Sequence, residues 1–308
     1  MKTLALFFFS ILGLAACQSS MQGSSLAENK AIRVLIVDGQ NNHFVWPQTT
    51  HMMKLFLQES GKFEVDVYRT AKTWMGDKLL AQFPAMDGRT HVALKQPETD
   101  ESFSPNFSNY DVVISNFGWN AAPWPTETQQ AFEQYMQNGG GFVAVHAANN
   151  SFPNWQEYNL MTGLGGWGGR NEKDGPYVYF DDAGHLQRDY TVGNGGGHGH
   201  QHQFVIQQRQ PHPITRGLPN SWQHSKDELY NRLRGPAQNL TVLASAYDDK
   251  KFNGFGRHEP VHMTIRYHRG RVFHTTLGHG VEVYKDENFI KVMRRGVEWA
   301  ATGRVSKQ

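Results

Sequence analysis

The residues best suited to chemistry are histidines and carboxylates at the ends of apolar runs. His146 closes the run Gly139-Gly140-Gly141-Phe142-Val143-Ala144-Val145. That run reads as a buried strand, so His146 stands at a strand-to-turn point, where side chains reach functional sites. The alternative is a histidine that only ties neighbouring loops together. His198, His200 and His202 alternate in a glycine-rich stretch. On extended backbone such residues share a face, and neutral imidazoles there would suit a divalent metal. The alternative is a solvated loop, because no carboxylate stands at ligand spacing beside it. Asp227 and Glu228 are adjacent and point to different sides, so at most one is expected to serve a site as general base or metal ligand. Both also suit a helix start or a surface. His279 follows another expected strand and completes a candidate acid–base set of His146, Asp227, Glu228 and His279. His274, inside that strand, is expected to be packed.

These residues need a frame. Ile32-Arg33-Val34-Leu35-Ile36-Val37 and Asp111-Val112-Val113-Ile114-Ser115 read as strands of a parallel sheet, like the run before His146. Between the first two lie a helix and the alternating strand Phe63-Glu64-Val65-Asp66-Val67. The helix is expected to be capped by Thr49 or Thr50, to bury Met52, Leu55 and Phe56, and to stop at Gly61. Residues 69–109 look irregular. Thr126-Glu127-Thr128-Gln129 matches a capping box, opening a helix with Phe132, Tyr135 and Met136 inside. Further strands are expected at 203–207 and 240–245, with a C-terminal hairpin of 261–267 and 271–277 turning at Arg269-Gly270. A last helix from Asp286 puts Phe289, Val292, Met293, Val297 and Ala300 on one face. This order implies a doubly wound, mostly parallel α/β sheet with long loops.

In such sheets ligands bind beyond the carboxyl ends of the strands. Three expected strand ends release Asn41-Asn42-His43, Asn116-Phe117-Gly118-Trp119 and His146-Ala147-Ala148-Asn149. A shared rim would make Asn41, Asn42, His43, Asn116, Trp119 and Asn149 candidates for substrate binding. Gly163-Leu164-Gly165-Gly166-Trp167-Gly168 matches G-x-G-x-x-G, but it follows a helical stretch rather than a strand, which argues against a dinucleotide. It reads as a mobile loop presenting Trp167 and Arg170 to a ligand. GxSxG and Walker patterns are absent.

The amino terminus reads as an export signal. Lys2 precedes an apolar run too short to span a bilayer, ending in Leu14-Ala15-Ala16-Cys17, which is similar to a bacterial lipobox. Residues 1–16 are expected to be removed, Cys17 to be lipidated, and 17–30 to form a polar tether. Position 18 is not Asp, so the expected location is the outer membrane, facing the periplasm. Cys17 is the only cysteine, which excludes a disulfide or catalytic thiol in the domain of residues 31–304. The formal net charge of +2 comes from scattered basic residues and does not suggest nucleic acid as a partner.

Taken together, the segments Val37 to His43, Asn138 to Asn150, Gly163 to Arg170, His212-Pro213-Ile214-Thr215-Arg216-Gly217-Leu218-Pro219, Lys226 to Tyr230 and Gly270 to His279 resemble the ThuA-like (trehalose utilisation) family. The resemblance implies a class I glutamine-amidotransferase-like, flavodoxin-like fold. In related amidotransferase-like folds a nucleophilic cysteine occupies the elbow where this chain has His146. The resemblance also implies a link to disaccharide and glycoside use, often beside dehydrogenases that make 3-keto sugars, and it favours His198 and His202 over His200 as metal ligands. Two functions follow as expectations. One is an enzyme cleaving or isomerising a glycoside, such as a 3-keto glycoside, by His and carboxylate acid–base chemistry or with a divalent metal, while Trp119, Trp167 and Arg170 hold the sugar. The other is a non-catalytic glycan-binding lipoprotein.

Overall fold

Alternation along the buried strands divides the interior into two layers. The computed structural model describes Met1 and residues 30–306; the leader core, Cys17 and nearly all of the tether lie outside the described residues. The first half contains β1 (Ile32–Gln40), α1 (Trp46–Glu59), β2 (Phe63–Trp74), α2 (Asp77–Leu80), β3 (Val92–Leu94), β4 (Val112–Ser115), α3 (Thr126–Gln137), β5 (Gly141–Val145) and α4 (Gln156–Thr162). The second half adds β6 (Tyr177–Phe180), β7 (Leu186–Asp189), β8 (Gly197–His198), β9 (Val205–Gln208), β10 (Ser221–Gln223), β11 (Tyr230–Asn231), β12 (Leu240–Tyr247), β13 (His258–Tyr267), β14 (Gly270–Thr275) and α5 (Glu287–Thr302). The main sheet runs β10-β9-β12-β13-β14-β5-β4-β1-β2-β3, with β6 on β13 and β7 on β6. From β14 to β3 every pairing is parallel.

Val34 and Ile36 pack with α1 and α5 on one face, whereas Leu35 and Val37 pack with α3 and α4 on the other. Helices thus cover both faces, and the α/β class with a large, centrally parallel sheet is as expected. Asp286 caps α5 by accepting from Asn288 N and Phe289 N, and all five residues expected on its inner face are buried.

Several local expectations fail for physical reasons. α1 starts at Trp46, ahead of the threonines, with Pro47 in its first turn, where no N–H is needed. Its register then buries Met53, Phe56 and Leu57 and leaves Leu55 exposed. The capping box does not form: Thr126 is already helical, and the cap position falls to Pro125, which has no side-chain acceptor. Residues 69–109 are less irregular than expected, since β2 runs on to Trp74 and pairs with β3. The hairpin pairs Tyr267 with Gly270, so His268 and Arg269 form the turn.

The carboxyl end of β1 is fixed by a buried ion pair. Arg69 of β2 donates to Asp38 through Nε (2.8 Å) and Nη2 (2.9 Å). Removing one partner of such a pair leaves a buried charge uncompensated. Asp38→Ala is therefore expected to cost about 3–5 kcal/mol of stability, measured by denaturant unfolding. A loss under about 1 kcal/mol, the range of a surface pair, would contradict this role.

Candidate functional site

β1, β4, β5 and β14 are neighbours in the sheet, so their following loops share one rim. His43 comes from the loop after β1, His146 from the first residue after β5, and His279 from the turn after β14. The segment joining β10 to β11 brings Glu228 across this rim. The ring centroids of His43 and His146 lie 4.8 Å apart, and those of His43 and His279 lie 4.6 Å apart. The shared rim expected from the strand ends is present.

Glu228 is the hub. Its Oε2 lies 3.2 Å from His279 Nδ1, 3.7 Å from His146 Nε2 and 4.0 Å from His43 Nε2. Its Oε1 lies 3.3 Å from His198 Nδ1. Asp227 faces the other way, as adjacent residues on extended chain must. Its carboxylate accepts from the backbone N–H groups of Gly278 (3.0 Å), His279 (3.0 Å) and Glu228 (2.8 Å), and lies 3.1 Å from His224 Nε2. Asp227 is thus not a group facing the rim. It is a clamp holding the Glu228 segment to the turn that carries His279.

His146 has φ +48°, a left-handed conformation that costs a non-glycine residue about 1–3 kcal/mol. The surroundings hold it there: Nδ1 lies 2.7 Å from the Thr276 carbonyl, and Nε2 lies 2.9 Å from the Tyr230 hydroxyl. Burial pushes its pKa well below the usual histidine value, with His43 and His279 adding to the effect. Burial likewise takes His43 down to about 4, so both rings are neutral at pH 7. Burial alone would lower His279 too, but its hydrogen bond to Glu228 and the negative charges of Glu228 and Asp227 together outweigh this and raise its pKa.

Most candidate substrate binders turn out to build the frame. Asn41 donates to the carbonyls of Asn116 and Phe117, both at 3.1 Å, and accepts from His43 N. Asn116 donates to Thr49, Thr50 and the Trp46 carbonyl. Asn42 accepts from Trp119 N, and Asn149 contacts the buried His274, which is packed as expected. The two loops meet at Gly118, where a Cβ would fall 2.3 Å from Asn41 Oδ1. Arg170 does not present itself to a ligand. It is buried, donating to the Arg234 carbonyl and to Asn159, and the glycine loop before it is tied down through Gly165, Gly166 and Trp167. Trp119 is 43% exposed. Trp167 packs edge-on against Tyr230 with centroids 4.9 Å apart.

The expected metal pair is not assembled. His198 stands beside Glu228, but His202 is buried, stacked on Phe252 at 3.8 Å, with Nδ1 on the His200 carbonyl. Regular alternation would have aligned the two, but the glycines leave only a two-residue strand at β8. Among the described residues, the group able to hold a metal is His43, His146, Glu228 and His279. Tyr230 was not foreseen. Its signal was its place two residues beyond Glu228, on the same face of extended chain.

With this geometry in view, likeness to known proteins becomes informative. Residues 33–300 match the ThuA family model, described as "Trehalose utilisation". The chain belongs to the ThuA family. A crystal structure described as a ThuA-like protein from Parabacteroides merdae is 40% identical, with a TM-score of 0.78, covering 91% of this chain and 93% of that one. Another ThuA-like protein, from Bacteroides uniformis, is 21% identical with a TM-score of 0.51 over 90% of this chain and 96% of that one; at that distance the likeness concerns the fold alone. No match is found among curated proteins.

In this ThuA-family site, Asp227→Ala would strand three backbone N–H groups at once. Each unsatisfied buried donor costs about 1–3 kcal/mol, so a stability loss of about 2–5 kcal/mol is expected after partial rehydration. Thermal or urea unfolding measures it. An unchanged midpoint would remove Asp227 as the clamp.

Proposed function

We propose that this ThuA-family chain is a carbohydrate-processing enzyme acting on glycosides or disaccharides, with 3-keto glycosides as the substrate class. The observation that carries the reading is Glu228 facing four imidazoles brought from separate loops. A purely structural role for one carboxylate does not need four titratable neighbours, and such clusters mark functional sites. The family description supports a sugar as ligand. Trp119 and Trp167 offer aromatic faces that suit a sugar ring.

A ketone at C3 makes the neighbouring C2–H acidic. A base removes that proton, and its electron pair passes into an enolate on the C3 oxygen. The enolate then re-forms the ketone as the C1–O bond breaks, leaving a C1=C2 double bond. The expelled oxygen takes a proton and departs as the alcohol. Water adding to the double bond would complete a net hydrolysis. His198 is suited to moving the protons, because it stands beside Glu228 and is 42% exposed at its side chain. Within the cluster, Glu228 is suited to act as a base with His198, and His279, whose Nδ1 carries a proton, is suited to the ketone oxygen, where charge develops.

Losing a general acid–base group typically costs about 10²–10⁴-fold in rate. His198→Ala and Glu228→Gln are each expected to lower turnover of 3-keto-trehalose or a 3-keto-glucoside by about that factor, with a smaller effect on the melting temperature. Sugar binding without product, in the wild type and both variants alike, would instead favour a glycan-binding lipoprotein.

We also propose that the chain is exported, lipidated at Cys17 and held at the outer membrane facing the periplasm. The lipobox-like Leu14-Ala15-Ala16-Cys17 and the polar residues after it support this. Among the described residues, no helix is long and apolar enough to cross a membrane. Cys17→Ser is expected to abolish palmitate labelling and move the protein out of the membrane fraction. Labelling that persists in this variant would refute the assignment.

A further inference from the structure

We propose that His43, His146, Glu228 and His279 bind one divalent transition-metal ion. The catalytic use of that ion rests on the function proposed above, but its binding does not. Each residue offers one ligand atom, and these atoms all lie within 4.8 Å of one another.

The hydrogen bonds behind two of the rings set their tautomers. Asn41 uses its amide nitrogen on the carbonyls of Asn116 and Phe117, which leaves its Oδ1 as an acceptor. That oxygen lies 3.0 Å from His43 Nδ1, so Nδ1 carries the proton and Nε2 the lone pair. His146 Nδ1 lies 2.7 Å from the Thr276 carbonyl, which can only accept, so its Nε2 is also a lone pair. Both lone pairs lie on the side of Glu228 Oε2, at 4.0 and 3.7 Å. A carbonyl behind the distal nitrogen is the arrangement that orients metal-binding histidines.

Without a cation the cluster is only partly paired. Two imidazole lone pairs face a carboxylate oxygen that accepts from His279 Nδ1. The Tyr230 hydroxyl can donate to His146 Nε2. Among the described residues, no hydrogen bond reaches His43 Nε2. A divalent ion would satisfy both nitrogens and the carboxylate together. His279 would join after losing its Nδ1 proton, since ligands must be deprotonated.

The spacing suits a small ion. Bonds of about 2.0–2.1 Å at a tetrahedral zinc put ligand atoms about 3.3–3.4 Å apart. The observed separations from Glu228 Oε2 are 3.2, 3.7 and 4.0 Å, and all four ligand atoms lie within 4.8 Å of one another, so the side chains would draw inward to close the shell. Imidazole with one carboxylate favours zinc, iron, nickel or copper over magnesium or calcium. Bound there, the ion would supply the positive charge that a developing sugar oxyanion needs.

The test uses full-length protein purified through a tag lacking histidine, stripped with a chelator and titrated with Zn2+, Co2+ or Mn2+. Elemental analysis, calorimetry and thermal melting read the result. One tightly held ion per chain is expected, with a raised melting temperature and visible bands for the Co2+ form. His43→Ala and His279→Gln should weaken binding at least about tenfold. Asn41→Ala, which removes the acceptor behind His43 together with the ties to the Asn116 and Phe117 carbonyls, should weaken it about 10–100-fold. His185→Ala, an exposed control, should leave it unchanged. If His43→Ala or Asn41→Ala fails to fold, the partly exposed His279→Gln variant decides. Wild-type protein that retains no ion and shows no thermal shift overturns the proposal, as does binding unchanged in all three site variants. Metal bound without turnover of a 3-keto glycoside would keep this site and sink the function proposed above; full turnover by metal-free protein would keep that function and remove only the ion's catalytic use.

Discussion

The rim depends on one buried carboxylate that faces away from it. Asp227 gathers three backbone N–H groups, two of them from the turn after β14 and one from its own neighbour. A carboxylate holding several amide donors forms a strong charge-assisted junction. It joins the segment after β10 to the end of a central parallel strand. Without it, neither Glu228 nor His279 would have a defined place. Because the two carboxylates are adjacent, the chain turns one to structure and presents the other to the imidazoles.

The opposite wall is built the same way, from asparagines. Asn41 and Asn116 cross-link the loops after β1 and β4, and the Thr276 carbonyl holds His146 in a conformation a non-glycine residue avoids. Strain at one residue and polar atoms buried behind it persist only where their surroundings over-determine them. The clustered side chains therefore stand on fixed backbone, and the more exposed part of the rim is left to His198, Trp119 and Trp167.

The sheet was readable in the sequence because strands buried on both faces must be continuously apolar, and their ends then predict a common rim. Thus His43, His146, Glu228 and His279 were each visible as candidates. Their division of labour was not. Alternation tells that Asp227 and Glu228 diverge, but not which one meets the strand end. The same rule misled at His202, since it holds only for regular strand and the glycines around His198 interrupt it. Arg170 was misread because a guanidinium can serve buried carbonyls as well as a ligand. The β6–β7 hairpin lay unseen in a glycine-rich stretch, its strands having only four residues each.

Sugar chemistry is proposed to happen where these loops meet. Two cavities offer rival locations. One of about 370 Å³ is lined by Trp119, Phe152 and Trp155, and another of about 700 Å³ lies along residues 208–220. A crystal structure with a 3-keto glycoside, or an unreactive analogue of one, separates the possibilities directly. The ketone oxygen is expected against the His43, His146, Glu228 and His279 cluster, with His198 near the C2–H and the ring beside Trp167. Sugar bound only along residues 208–220 or in the Phe152–Trp155 cleft, with the cluster untouched, would contradict it.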